Sequence, residues 1–195
     1  MKTLVITGGI GSGKSAVCRY LETKGVPVYY SDVRTKALYA ENPVLVDDIE
    51  EAMGESVRDS GGVLSRRKLG SIVFSDPAKL KALEDIVHPF VVEDFIRWRN
   101  DRFDGPSPFV VMESAIFMDR PIFRSIPDKV MLVDAPLEER IRRAMERDES
   151  TREQILRRIS AQKINPSDAD VVIENDCSLE TLYERVDEAL KTIWK

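Results

Sequence analysis

The feature that most constrains this chain lies at its very start. Thr3-Leu4-Val5-Ile6-Thr7 is a short, β-branched apolar run, and Gly8 and Gly9 follow it at once. Such a run reads as a fully buried strand ending in a glycine loop. The loop, Gly8-Gly9-Ile10-Gly11-Ser12-Gly13-Lys14-Ser15, satisfies G-x-x-x-x-G-K-[ST] in full. Glycines let the backbone turn its N–H groups inward around phosphate oxygens, and the N-terminus of the following helix adds positive potential. Lys14 brings a formal charge, and Ser15 offers a hydroxyl for Mg²⁺. At average composition the pattern arises by chance in roughly one chain in a hundred of this length. The plain alternative is a tight glycine turn that binds nothing, but so flexible a turn is costly to order without a ligand. The expectation is a bound nucleoside triphosphate.

After the loop a helix is predicted from about Lys14 to Lys24. Gly25 stops it, and Val26 to Tyr30 forms a second apolar strand ending at Ser31-Asp32. Strand, loop, helix, strand is a right-handed βαβ unit, which carries ligands at the carboxyl ends of its parallel strands. From Val33 to about Phe103 the signals are helical, punctuated at Asn42-Pro43, Ser60-Gly61-Gly62 and Asp76-Pro77. That stretch exceeds a simple crossover and reads largely as an inserted helical lobe. Strands resume at Phe109 to Met112, Lys129 to Val133 and Val171 to Ile173. The predicted fold is an α/β sandwich of three layers, about five parallel strands flanked by helices. Glu138 to about Glu149 and Thr151 to Lys163 are charge-laced helices, the second opened by a Thr151/Gln154 capping box. That pair is expected to stand off the core as a lid.

Composition sets the class of partner. With 43% hydrophobic and 32% charged residues over 195 positions, the chain is too apolar for disorder and long enough to bury a core. Lys+Arg 29 against Asp+Glu 34 gives 29 − 34 = −5, which disfavours nonspecific binding to nucleic acid or an anionic membrane. An anionic ligand must then be held by local positive charge. Two cysteines, Cys18 and Cys177, suit a reducing compartment, so the cytoplasm is expected. The apolar run Leu4 to Ile6 is far too short for a signal-peptide core, and neither secretion nor membrane spanning is predicted. Oligomeric state stays open.

No Asn-Lys-x-Asp guanine-reading motif occurs, and a helical lobe after the second strand is what a kinase needs to hold a second substrate. This favours phosphoryl transfer to an acceptor over slow hydrolysis in a nucleotide-switched binding module. Asp32, directly after the second strand, can serve either as general base or as N-cap of the next helix. Arg140, Arg143 and Arg147 share one helical face by their spacing, as a phosphate clamp or as a solvated ion-pair row in which Glu139 partners Arg143. Arg152 is a further candidate clamp. His88, before Pro89, is either a satisfied structural residue or a neighbour of the acceptor, and a single histidine excludes His-rich metal chemistry. Tyr29, Tyr30 and Tyr39 are assigned to packing.

With these residues in view the chain resembles the dephospho-CoA kinase family, whose members use ATP to phosphorylate the ribose 3′-hydroxyl of dephospho-CoA, the last step of coenzyme A biosynthesis. The likeness runs over nearly the whole length and in the same order. It rests on Thr7 to Ser15, Asp32, His88-Pro89, Arg143-Ala144-Met145-Glu146-Arg147-Asp148 with Thr151-Arg152-Glu153, and Gln162 and Asn175. The resemblance implies a P-loop kinase-like core over about 1–32, 104–136 and 164–195, a coenzyme-binding helical lobe over about 33–90, and a lid over about 137–163. It implies Asp32 as the base, with Thr7, Lys14 and Arg143 serving the phosphates. It further implies an ATP site formed by Gly11, Ser12, Gly13, Lys14, Ser15 and Ala16 together with Arg147 and Asn175, Mg²⁺ on Ser15, and His88 beside the acceptor. Small-molecule substrates are implied, and another P-loop nucleoside or nucleotide kinase is the alternative. Three positions depart from the family's usual pattern. Tyr30-Ser31-Asp32 stands for Asp-Ala-Asp, Ala16 for Thr, and Ser114-Ala115-Ile116-Phe117, preceded by Glu113, for an apolar Pro-Leu-Leu stretch.

Overall fold

A computed structural model describes residues 1–194. The first apolar run forms β1 (Lys2–Thr7), buried at every position after Lys2, and a strand covered on both faces belongs in the middle of a parallel sheet. The sheet order is β2-β3-β1-β4-β5, with β2 at Val28–Tyr30, β3 at Phe109–Glu113, β4 at Lys129–Asp134 and β5 at Val171–Glu174. All four pairings are parallel, as the alternation of strands and helices requires. Register places Ile6 opposite Glu113 on one side and Met131 on the other. The carboxyl ends of the three inner strands therefore share one edge.

One face of this sheet is closed by α1 (Lys14–Thr23) and α8 (Leu179–Ile193). Leu4, Ile6, Val111, Met131, Val133 and Ile173 pack there against Val17, Cys18 and Leu21 of α1 and Leu182 and Val186 of α8. Fully burying one such aliphatic side chain stabilises by about 1.5–3 kcal/mol, so this layer holds α1 rigidly behind the glycine loop. The two helices also meet directly. The Tyr20 and Tyr183 rings stack 4.2 Å apart, and the Tyr20 Oη donates to Asp187 Oδ2 at 2.7 Å.

The chain falls into two compact units. The larger takes Met1–Tyr30 and the residues from Arg99 on; the smaller is Ser31–Trp98. Helices α2 (Ser31–Glu41), α3 (Pro43–Met53), α4 (Arg66–Val73) and α5 (Pro77–Asn100) build the smaller one. Its punctuation is that of the sequence: Asn42 caps α3 through Leu45 N–H with Pro43 in the first turn, and Asp59 Oδ1 accepts from Gly61 and Val63 in the Ser60-Gly61-Gly62 turn. Arg34 grips Asp94 with Nε at 2.9 Å and Nη2 at 3.0 Å, fixing α2 against α5.

Two expectations shift. β2 begins at Val28 rather than Val26, because the Val26 N–H is spent on Leu21 O at the end of α1 and Pro27 has no N–H to give. Ser31 and Asp32 do not end the strand but open α2. The capping box predicted for Thr151 and Gln154 is present, opening α7 (Arg152–Ser160), which follows α6 (Leu137–Asp148). No helix among the described residues is long and apolar enough to cross a membrane, and both cysteines are free.

Candidate active site

The glycine loop joins β1 to α1, and its shape is imposed by close neighbours. Gly13, at φ 103°, precedes α1, and a Cβ there would lie 2.1 Å from Asn175 Nδ2; one on Gly9 would lie 1.9 Å from an Arg140 guanidinium nitrogen. Gly13 has a left-handed backbone that favours glycine, while at Gly9 a side chain would require the Arg140 guanidinium to move. The Lys14 ammonium, nearly buried, donates to the carbonyls of Gly8 at 2.7 Å and Gly9 at 3.1 Å. The amides of Gly11, Gly13 and Ser15 have no hydrogen-bond partner among the described residues. They stand at the start of a helix with no side-chain cap and no acid in its first turn. Open N–H groups, a helix N-terminus and an ammonium together make an anion receptor.

Residues from far along the chain hold this receptor. Asn175, buried at the end of β5, donates from Nδ2 to Ser12 O at 2.8 Å, while its own N–H donates to Asp134 O at 2.7 Å. Ile10 is held at both ends of its backbone: its N–H donates to Gln162 Oε1 at 2.9 Å, and its C=O accepts from Arg140 Nε at 3.0 Å. Its side chain packs on Ile141, Ala144 and Ile155 of α6 and α7. Apolar residues on the inner face of the α6–α7 pair hold it to the loop, in a cluster separate from the sheet core. Beside Arg140 a cavity of about 440 Å³ opens between the ends of β4 and β5, lined by Asp134, Pro136, Leu137, Glu174 and Asp176.

A family model described as dephospho-CoA kinase matches residues 3–181, more than nine-tenths of the chain. The chain belongs to the dephospho-CoA kinase family. A Porphyromonas gingivalis dephospho-CoA kinase is 40% identical over 163 residues, covering 84% of this chain and 78% of that protein. The crystal structure of a Thermus thermophilus protein superposes with a TM-score of 0.79 at 37% identity, covering 97% of this chain and 96% of that one. The Campylobacter jejuni dephospho-CoA kinase, at 22% identity, shares the fold with a TM-score of 0.70 over 99% and 98% of the two chains.

Within this dephospho-CoA kinase fold the expected site residues separate by position. Thr7 is the buried last residue of β1, Gly11 to Ser15 form the receptor, and Ala16 donates its N–H to Gly13 O. Of the α6 arginines, Arg143 is turned inward: Nη2 donates to Asn175 O at 3.3 Å, and its buried Nη1 has no partner. Arg147 instead lies exposed in a bidentate pair with Asp148, at 2.6 and 2.9 Å, and Arg152 pairs with Glu138. Its partnership with Asp148 raises the Arg147 guanidinium further and holds the Asp148 carboxyl well below the usual range. Arg140, the third arginine of the face, is the one over the loop. Asp32 is exposed in the first turn of α2 with no partner among the described residues, so it does not act as a cap; His88 is buried within α5. Tyr30, standing for the family's usual first acid, donates from Oη to Glu22 Oε2 at 2.9 Å. Burial, then that bond, pushes its phenol above the ordinary value.

Proposed function

We infer that this chain transfers the γ-phosphoryl group of ATP to the ribose 3′-hydroxyl of dephospho-CoA, giving coenzyme A and ADP. The observation that carries the reading is the set of open loop amides around Lys14 in a chain of the dephospho-CoA kinase family. Phosphoryl transfer asks a protein mainly for positioning and for neutralising charge. The amides of Gly11, Gly13 and Ser15 take the phosphate oxygens, and Ala16 completes that end of the receptor. Lys14 exchanges its bonds to the Gly8 and Gly9 carbonyls for a phosphate, and Asn175 keeps Ser12 O turned out of the way. Thr7 closes the strand end behind them. Arg143, with a buried N–H still unsatisfied, is poised to meet charge that grows on the transferring group.

Asp32 is the base. Its exposed carboxylate accepts the 3′-hydroxyl proton as that oxygen attacks the γ-phosphorus and the bond to the ADP oxygen breaks. His88 serves the acceptor side, and Arg147 joins the phosphates by leaving Asp148. Ser15 fits Mg²⁺, since its hydroxyl is exposed and without a partner among the described residues. Magnesium takes few protein ligands and otherwise binds water and phosphate, so one hydroxyl is a sufficient protein contribution. When bound, the ion neutralises charge on the β- and γ-phosphates. Free thiols at Cys18 and Cys177 suit a reducing compartment, and we place the reaction in the cytoplasm.

Incubating purified protein with ATP, Mg²⁺ and a panel of acceptors tests the assignment. Dephospho-CoA should be turned over, and nucleoside monophosphates and shikimate-like alcohols should not. Turnover of a nucleoside monophosphate with none of dephospho-CoA overturns it.

A further inference from the structure

Ile10 is fastened to the α6–α7 segment by three separate contacts, and one of them comes from a side chain that the reaction as described does not use. The Gln162 backbone closes the last turn of α7, its N–H donating to Ile159 O at 3.1 Å. That leaves the side-chain amide free to reach 152 residues back along the chain, where its Oε1 accepts from Ile10 N–H at 2.9 Å. Arg140 holds the carbonyl of the same residue from α6, and the Ile10 side chain packs against the cluster of Ile141, Ala144 and Ile155. Helix termination needs only the Gln162 backbone, so the side chain's contact has a different consequence.

We propose that Gln162 is a positioning residue for the phosphoryl donor: by holding the Ile10 amide it keeps the phosphate loop in the shape that receives a triphosphate. The proposal rests on the reading of the loop as the ATP site. Four of the loop's first six residues are glycine, the residue that loses most conformational freedom when ordered. If that cost fell at the moment of binding it would be subtracted from affinity. Holding Ile10 at both backbone ends settles it beforehand. The hold also has the right direction. Ile10 lies just before Gly11, Gly13 and Ser15, whose amides are open, so using its N–H for Gln162 removes none of those donors, and its carbonyl, taken by Arg140, is kept from facing phosphate. Asn175 does the same for the Ser12 carbonyl on the other side of Gly11.

The test compares the full chain with Gln162→Met, which keeps length and loses the acceptor, and Gln162→Glu, which keeps an acceptor oxygen. Without nucleotide, amide hydrogen exchange at Ile10 should quicken at least tenfold in the Met variant and stay near wild type in the Glu variant. Calorimetric ATP affinity should fall roughly 3- to 10-fold in the Met variant, the size of one lost hydrogen bond. In steady state the loss should appear in KM for ATP, with kcat and KM for dephospho-CoA within about twofold and the unfolding midpoint unmoved. The added charge in Gln162→Glu weakens ATP binding by repulsion, so rescue is read from exchange alone. Unchanged Ile10 exchange and ATP affinity in Gln162→Met overturn the proposal. A lowered unfolding midpoint with both KM values raised overturns it too, by making Gln162 merely structural. Failure of the wild-type chain to bind ATP sinks the donor-site reading itself, a result distinct from either.

Discussion

Asp32 and Arg143, opposite in charge, share one feature. Each keeps binding capacity unspent: the carboxylate has no partner among the described residues, and one guanidinium N–H is buried without an acceptor. For Asp32 the consequence is measurable. Asp32→Asn should keep ATP affinity within about twofold and lose roughly 10²- to 10⁴-fold in kcat, the usual contribution of a positioned base, in a coupled ADP-release assay. A rate near wild type removes it from the chemistry. Residues differ sharply in how far they can be read from spacing. Lys14 and Ser15 stand at fixed intervals from glycines in one short stretch, so their role is local and legible. Asn175 and Gln162 reach the same loop across 163 and 152 residues, contacts that no periodicity encodes; only their agreement with a family pattern brought them forward. Arg140 shared its helical face with Arg143 and Arg147, and spacing alone could not say which of the three meets the loop.

At the level of elements, the helix pair α6–α7 is laced by its own carboxylates. Asp148, in the last turn of α6, accepts from Arg147 and, at 2.6 Å, from Arg158 of α7. The Arg147 bond first, and Arg158 after it, hold the Asp148 carboxyl below its ordinary range. A carboxyl whose pKa is lowered by folding contributes stability that is complete above its unfolded value, near 4, and is lost as pH falls through the folded one. The difference in urea midpoint between wild type and Asp148→Asn should therefore be constant from pH 7 to about pH 5 and shrink as pH falls below about 4. A gap that widens on acidification contradicts the assignment. Elements themselves were legible where local chemistry decides them, as at the Thr151/Gln154 capping box and the Asn42-Pro43 start of α3. They were not where a distant partner decides. β2 lost two residues at its start to the end of α1, and the packing of Ile10 on Ile141, Ala144 and Ile155 of α6 and α7 joins stretches far apart in the chain.

For the molecule as a whole, a formal charge of −5 coexists with a local gathering of positive groups, Lys14, Arg140 and Arg143, around open loop amides, which we propose as the receptor for the triphosphate. The sum describes the surface and the receptor is local, which is why composition argued against nucleic acid without arguing against a triphosphate. The two thiols are equally uneven. Cys18 is wholly buried in the sheet–helix core, and burial, then the Glu113 carboxylate, pushes its thiol far up, while Cys177 is half-buried. A thiol reagent at pH 8 should titrate Cys177 in the native protein and reach Cys18 only on unfolding. Two equivalents reacting natively would mean the core opens. The stack of Tyr20 on Tyr183 has a mechanical reading. It splints the helix that begins with Lys14 to the last of the described helices, Leu179–Ile193. The brace stands behind the glycine loop, so removing either ring would loosen the footing of that first helix while every residue of the loop itself stayed in place.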